Sequence, residues 1–464
     1  VDPVQLERFE GKMRDDGLPE IAVQAFRRAV SFAASGGETK VPERTIEPVS
    51  KLDRLADFDA ASSKLRDLVG RAAVIKLNGG LGTSMGLSRA KSLLPVRPGT
   101  SFLDLTARQV IAQRAAWSPP VELPLVLMNS YRTRDDSLAA LSNHPGLDGP
   151  LALDFVQHRV PRVDATDWSP VMWPADPSLE WCPPGHGDLY IALASSGMLE
   201  ALRGRGVRYA FISNADNLGA VLDPRILDWM AADDVPFVME VCERTEADRK
   251  GGHLAMRDGA LILREVAQCP NEDLGAFQDV TTHRYFNTNN LWLDLDALAD
   301  VLATNPGGPA LPVIVNEKRV SPTDAESPRC LQLETAMGSA IECFEGARAI
   351  VVPRERFAPV KTTNDLLTLW SDAYVMTDDA RMVASDPEAA RERVVDLDAR
   401  HFGHVEDLQA RFPHGAPSLA KCRRFQVIGD HVFGAGVVAE GDVRLVNESD
   451  APVHIPDGTV LGDD

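Results

Sequence analysis

Over the first 45 residues apolar side chains recur at helical spacing. Leu6, Phe9 and Met13 form one stripe, and Ile21, Ala25 and Ala29, with Phe26 beside them, form a second. That period predicts two amphipathic helices. The Gly/Pro-rich stretch 35–48, SGGETKVPERTIEP, breaks the pattern and reads as a connector. From Ala72 to about Ala373 the pattern changes. Short continuous apolar runs at 72–77, 125–128, 153–156, 209–213, 237–241 and 349–352 alternate with helical patterns. Such alternation predicts an α/β sheet with crossover helices. A polar interruption at 244–253, containing Lys250, Gly251 and Gly252, leaves the core and is expected to form an excursion over the site.

After Asp378 the composition shifts again. Residues 388–393 are charged and helical, and from Arg424 onward valines and glycines dominate. Val432, Val438 and Val443 recur with Gly429, Gly434, Gly436 and Gly441 between them, the mark of a short parallel β-helix. Three parts follow: a helical N-terminal region (1–45), an α/β domain (46–378) and a C-terminal β-helix (379–464).

At 464 residues the chain has room for about three domains. Its 48 basic and 68 acidic side chains leave a net charge of −20, which excludes a broad surface for nucleic acid or an anionic membrane. A single positive pocket for a small anion is compatible with that balance. Cysteines stand at 182, 242, 269, 330, 343 and 422 without one C-x-x-C pair. This spacing supports neither a zinc site nor a disulfide framework and suits a reducing cytosol. The apolar runs at 124–128 and 349–352 are too short to span a bilayer. The opening VDPVQLERFE has no basic stretch leading into an apolar one, so no signal peptide is expected. The expectation is a soluble cytoplasmic protein, with a monomer the favoured state.

The strongest chemical signal is AAVIKLNGGLGTSMGLSRAKSLLPV at 72–96. A β-run ends at Leu77, and Gly79, Gly80, Gly82 and Gly86 follow, a density that lets backbone N–H groups approach an anion. The spacing misses the dinucleotide fingerprint, because counting from Gly80 the sixth residue is Met85. It misses the Walker pattern too, because Leu87 rather than Lys follows Gly86. Lys91 lies one short segment on, within reach of a phosphate.

Weaker signals join it. In PPGHGDLYIALASSG (183–197) His186 falls near a helix N-terminus that favours an anion, and the segment reads equally as an Asp188 cap with a loop histidine. YAFISNADNLGA (209–220) delivers Asn214, Asp216 and Asn217 to a strand's carboxyl end, where an aspartate holds Mg²⁺ against phosphates or simply builds a turn. RYFNTNNLWLDLD (284–296) sets Asn287, Asn289 and Asn290 in an apolar stretch, and amides read sugar hydroxyls well. QLETAMGSAIECF (332–344) reads as a helix start in which Glu334 accepts from a hydroxyl or serves the first turn. AIVVPRERFAPVKTTNDLL (349–367) presents Arg354, Arg356 and Lys361 before a capped helix, a second anion site or a solvated basic loop. Gln157, in LDFVQHRVP, carries no independent signal.

Taken together, KLNGGLGTSMG with AKS after it, PPGHGD, SNADNLGA, FNTNNLW, QLETAMGSAI and RFAPVKTTNDLL occur in the order seen in the UTP–glucose-1-phosphate uridylyltransferase family, the eukaryotic-type UDP-glucose pyrophosphorylases, which the chain resembles. The resemblance runs from about residue 70 to 375 and reappears at IPDGT near the C-terminus. It implies a Rossmann-like GT-A nucleotidyltransferase domain, a small helical N-terminal region and a C-terminal left-handed parallel β-helix. By motif, Leu77, Asn78, Gly79 and Gly80 would hold the nucleotide and Lys91 would grip the UTP phosphates. Gln157 and Gly185 would read uracil, and His186 and Asn289 would contact glucose 1-phosphate. Asn214 and Ala215 would line the nucleotide, Asp216 would hold Mg²⁺, and Lys361 would be the main catalytic cation. UDP-glucose and pyrophosphate are the implied products. Ser84-Met85-Gly86 sets the chain apart from the hexosamine and broad UDP-sugar relatives, which end the glycine loop with Arg-Leu-Gly. Two other classes fare worse. A dinucleotide oxidoreductase needs the missing fingerprint and an acid about 20 residues beyond it. A non-catalytic scaffold has no need of Asp216 and both lysines.

Overall fold

In the computed structural model, which describes residues 3–59 and 62–462, ten strands of the described residues build the central sheet. In chain order they are β1 (Asp53–Arg54), β2 (Ala72–Asn78), β3 (Leu125–Asn129), β4 (Asp154–Val156) and β5 (Tyr209–Asn214). Then come β6 (Phe237–Glu243), β7 (His253–Arg257), β8 (Ala260–Arg264), β9 (Tyr285–Asp294) and β10 (Arg348–Val351). The spatial order is β1-β10-β6-β9-β5-β2-β3-β4, with β7 joining β9 to β8 beside this path. Neighbours along the path are parallel except at β9, which is antiparallel to both β5 and β6. The six apolar runs of the sequence are the cores of β2, β3, β4, β5, β6 and β10.

Their unbroken apolar character follows from burial on both faces. Ala73 and Ile75 of β2 enter one core, beneath the helices Leu189–Ser195, Met198–Arg203 and Leu295–Thr304. Ala72 and Val74 enter the other, beneath Phe102–Ala115 and Pro224–Asp233. From β2 the chain steps outward through β3 and β4, then returns to place β5 on the opposite side of β2. The crevice at the carboxyl ends of β2 and β5 is therefore where the strand order reverses, the usual ligand position in open α/β sheets.

The two N-terminal helices form as predicted, α1 over Pro3–Asp15 and α2 over Glu20–Ala34. The buried face of α2 differs from expectation, since Val23, Phe26 and Val30 point inward rather than Ile21, Ala25 and Ala29. Phe9 and Phe26 meet edge to face at 5.4 Å and pack on Val160, Val163, Val313 and Leu333. Ala22, Ala25 and Ala29 instead line a cavity of about 450 Å³ between α2 and the segment 309–313.

In the C-terminal segment the charged helix spans Pro387–Glu392. Beyond it Val394–Leu397, Cys422–Ile428 and Gly441–Val446 form one parallel ladder. His431–Phe433 pairs in parallel with Val453–Ile455, and Val438–Ala439 with Val460–Leu461. Of the three repeating valines only Val443 is buried; Phe433, Val437 and Ala439 fill the interior beside it, while Val432 and Val438 are half-exposed. This interior is continuous with the α/β part, for Met85, Leu94, Phe102, Leu218, Val360 and Leu366 share one core with Phe402, Leu408, Phe425 and Val443. No described helix is long and apolar enough to cross a membrane.

Candidate active site

Two loops flank the β2–β5 crevice. The first leaves β2 at Asn78, turns at Gly79 and Gly80, and closes on itself through a bridge between Leu81 and Ala90 and a hydrogen bond from the Lys91 N–H to the Gly80 carbonyl. A β-carbon on Gly79 would stand 2.7 Å from Oε1 of Gln157, whereas one on Gly80 would face open space. The fold thus lays the Gln157 amide against the glycine turn. Asn78 turns its side chain into the fold. Its amide donates to Asn129 and Ser137 and accepts from the Ser92 hydroxyl, so only its backbone remains for a ligand.

The second loop leaves β5 at Asn214 and carries Asp216. It lies against the first through a hydrogen bond from the Ala215 N–H to the Leu77 carbonyl. Across the crevice the Lys91 ammonium donates to Asp216 Oδ2 at 2.6 Å. Beneath them Lys76 is fully buried, and its Nζ donates to the Ser213 hydroxyl and the Ala220 carbonyl at 2.7 and 2.8 Å. Loss of water pushes its pKa down to about 7.

Residues 354–361 form the third side. Asn217 ties them to the neighbouring loop and strand: Nδ2 donates to the Arg356 carbonyl and to Asn290, and Oδ1 accepts from the Ala358 and Gly219 N–H groups. The Val360 N–H reaches the Asp216 carbonyl. Of the three cations expected here, two are consumed. Arg356 makes a two-pronged pair with Glu240, a fully buried carboxylate that also accepts from Asn290 and Trp292. Arg354 makes a similar pair with Asp248 in the excursion. Lys361 is exposed and enters no ion pair among the described residues. It precedes the helix Thr363–Trp370, where Thr362 and Asp365 form a capping box.

The PPGHGD segment closes the far side. Gly185 has φ 81°, and a β-carbon there would sit 2.4 Å from the Thr335 carbonyl, so only glycine fits. His186 Nδ1 accepts from the Met337 N–H at 2.9 Å, which puts the proton of the neutral ring on Nε2. Burial pushes its pKa down to about 4. The ring is therefore a neutral donor through Nε2. Asp188 does not cap the following helix, as one reading of the sequence had it; its carboxylate accepts from both the backbone N–H and Nδ1 of His158. His158 Nε2 in turn lies 3.1 Å from the Ser195 hydroxyl. This serine–histidine–aspartate string resembles a hydrolytic triad in spacing only. Ser195 ends its helix, and the next two N–H groups are bonded to the Ala192 and Ala194 carbonyls, leaving no oxyanion donors there.

Asn289 owes its position to a bulge. The β6–β9 register jumps between Glu240 opposite Asn290 and Val241 opposite Asn287, which leaves Thr288 and Asn289 outside the ladder. Asn289 adopts φ 58°, held by its N–H donating to Asn287 Oδ1 and its Oδ1 accepting from Asn287. Glu334 departs from expectation. It lies on the strand Arg329–Thr335 opposite Ile314, not at a helix start, and lines the cavity beneath α2. The helical turn begins later, at Met337. One acid in this region gave no sequence signal. Glu265 is half-buried beside Gly252, with its pKa raised by burial and pulled back by the charge of Lys361.

A glycine turn, two lysines and one carboxylate gathered at a strand-order reversal are the marks of an α/β enzyme that handles a phosphorylated ligand. The sequence model for UTP–glucose-1-phosphate uridylyltransferases matches residues 23–440. The enzyme of that name from Solanum tuberosum is 36% identical over 424 residues, covering 91% of this chain and 87% of its own. The UDP-glucose pyrophosphorylase of Leishmania major, solved in open and closed forms, is 42% identical with a TM-score of 0.92, covering 100% of this chain and 99% of its own. A point mutant of that Leishmania enzyme, solved in complex with UDP-glucose, is equally similar, at 42% identity and TM-score 0.92 over the same shares. The chain belongs to the UTP–glucose-1-phosphate uridylyltransferase family.

Proposed function

We propose that the protein transfers a uridylyl group reversibly between UTP and glucose 1-phosphate, giving UDP-glucose and pyrophosphate. The observation that carries this reading is the meeting of Lys91, Asp216 and the Lys361 loop around one crevice in a chain of this family. The backbone of Leu77–Gly80 and the Gln157 amide would hold uracil, with Gly185 completing the pocket. Asn214 and Ala215 would line the nucleotide. His186, as a neutral Nε2 donor, and Asn289 would contact glucose 1-phosphate.

The chemistry follows from charge. A phosphate oxygen of glucose 1-phosphate attacks the α-phosphorus of UTP in line, and pyrophosphate leaves. Near neutral pH the nucleophile is already ionised, so no general base is needed. The barrier is repulsion between anions and their misalignment, both relieved by fixed positive charge. Lys91, on the first loop, and Lys361, on the third, would supply that charge.

Asp216 fits Mg²⁺ as an ion delivered with the nucleotide. Mg²⁺ commonly takes one or two protein carboxylates plus substrate phosphates, and the described residues hold no cluster of three His, Cys, Asp or Glu ligands. When bound there it would neutralise charge on the UTP phosphates.

We read 46–378 as a GT-A catalytic domain, 379–464 as a left-handed β-helix built on the parallel ladders, and 1–45 as a helical region. Cytosolic residence is supported by six free thiols, five of them buried. Mixing purified protein with Mg²⁺, UTP and glucose 1-phosphate and following pyrophosphate tests the proposal. Folded protein that releases none would overturn it.

A further inference from the structure

We propose that Lys76 is a positioning residue for the Asp216 loop, an inference that rests on the proposed role of Asp216 at the nucleotide. Lys76 lies in β2, between the two cores of the sheet, with its ammonium 5.8 Å from the ring centre of Phe211. An apolar side chain there would avoid the cost of burying a charge. The ammonium instead touches the two ends of the Asp216 loop. Ser213, whose hydroxyl it binds, is the penultimate residue of β5, and Ala220, whose carbonyl it binds, lies at the far end of the loop that follows. Asn214, Ala215 and Asp216 are carried between these two points. One rigid strand thereby sets the span of the loop, while Asn217 fixes the same loop to residues 356–358 from the other side. The charged groups facing its Nζ are Arg356, Asp216 and Glu240, and it forms an ion pair with neither carboxylate, so its hold on the loop is through the Ser213 and Ala220 hydrogen bonds.

The test uses the full chain with Lys76→Met, Ser213→Ala and the double variant. Three quantities are read: pyrophosphate release against Mg²⁺ concentration, thermal unfolding, and amide hydrogen exchange over 214–220. Lys76→Met is expected to keep the melting temperature and to speed exchange across 214–220. Its kcat should fall about 10- to 100-fold through misplacement of the loop. Half-saturation by Mg²⁺ should rise about tenfold, the scale of losing a group that orients a ligand. Ser213→Ala should move the same readouts less, and the double variant should be no worse than Lys76→Met, because both act through one contact set. Wild-type exchange and wild-type Mg²⁺ response in Lys76→Met overturn the proposal, as does full additivity in the double variant. Should Lys76→Met fail to fold, a wild-type Mg²⁺ response in Ser213→Ala overturns it. A wild type that releases no pyrophosphate, with exchange still raised in Lys76→Met, counts against the uridylyl-transfer reading and not against the clamp.

Discussion

The Lys91 ammonium and the Asp216 carboxylate face each other at 2.6 Å across the crevice, each less than a quarter exposed. They sit on the loops that follow different strands, β2 and β5, and their pairing joins the two loops that would enclose a triphosphate. On the roles proposed above, a nucleotide with its metal would part them, giving Lys91 a phosphate and Asp216 a cation in exchange. Asp216→Asn frees Lys91 and removes one negative charge. UTP affinity measured by calorimetry in EDTA should therefore hold or rise, while stimulation by Mg²⁺ weakens. Matching metal titrations in the two proteins would assign the ion elsewhere.

Lys361 is exposed and sits before a well-capped helix, so its loss should leave folding intact. Lys361→Ala is expected to lower kcat by roughly 10²-fold, the scale of removing one transition-state-stabilising group. Steady-state kinetics beside a melting curve checks this, and unchanged turnover would reduce Lys361 to a surface lysine.

On the proposed reading, base selectivity would rest on the Gln157 amide lying against the Gly79 turn. Uracil offers two carbonyl acceptors around one donor, and cytosine replaces a carbonyl with an amino group. A site built on hydrogen bonds rejects such a mismatch by as much as about 10⁴-fold, so kcat/KM for CTP should fall far below that for UTP. Gly79→Ala drives a methyl into the Gln157 amide. That variant should lose UTP efficiency and narrow the UTP-to-CTP ratio. Comparable efficiencies for the two nucleotides in the wild type would mean the loop grips phosphate alone.

His186 makes a prediction about acid. Its pKa falls from 6.5 to about 4 on folding, so the unfolded chain takes up the proton first as pH drops. The stability tied to its neutral ring is complete above pH 6.5 and is lost as pH falls toward 4. Urea unfolding at intervals across that window should show a steeper loss for the wild type than for His186→Gln. His253, pushed down to about 2 by burial, is common to both proteins and cancels in the difference. Parallel curves would mean that His186 is solvated.

Much of this architecture is legible in the chain because strands buried on both faces announce themselves. The runs ending at Leu77, Ser213 and Val241 need no tertiary information. The site divides differently. Glycine density foretells a close backbone approach at Gly79 and Gly80, and Asp216 is readable as a carboxylate at a strand end. Which amide of FNTNNLW faces outward is not readable, since it depends on a bulge opposite Glu240 that displaces Asn289 and turns Asn290 inward. Arg354 and Arg356 look as available as Lys361 until Asp248 and Glu240 arrive from elsewhere in the chain. Glu334 misleads because ETAMGSAIE has helical composition, whereas pairing with 313–319 extends the strand through Thr335. Gln157 gives no local signal because the partner that gives it a place is a bare glycine backbone far off in the chain.

The shared core around Met85 has a consequence for the order in which the protein matures. Met85, Leu94 and Phe102, which back the glycine loop, are packed by Phe402, Leu408, Phe425 and Val443. The ribosome makes those partners at least 300 residues later. A central sheet can assemble while synthesis continues, since neighbouring strands such as β2 and β3 are close in sequence. The nucleotide loop has to wait for its last wall. A growing chain therefore exposes Met85 and its neighbours throughout most of translation, and it gains a finished substrate pocket only as the C-terminal ladders close over them.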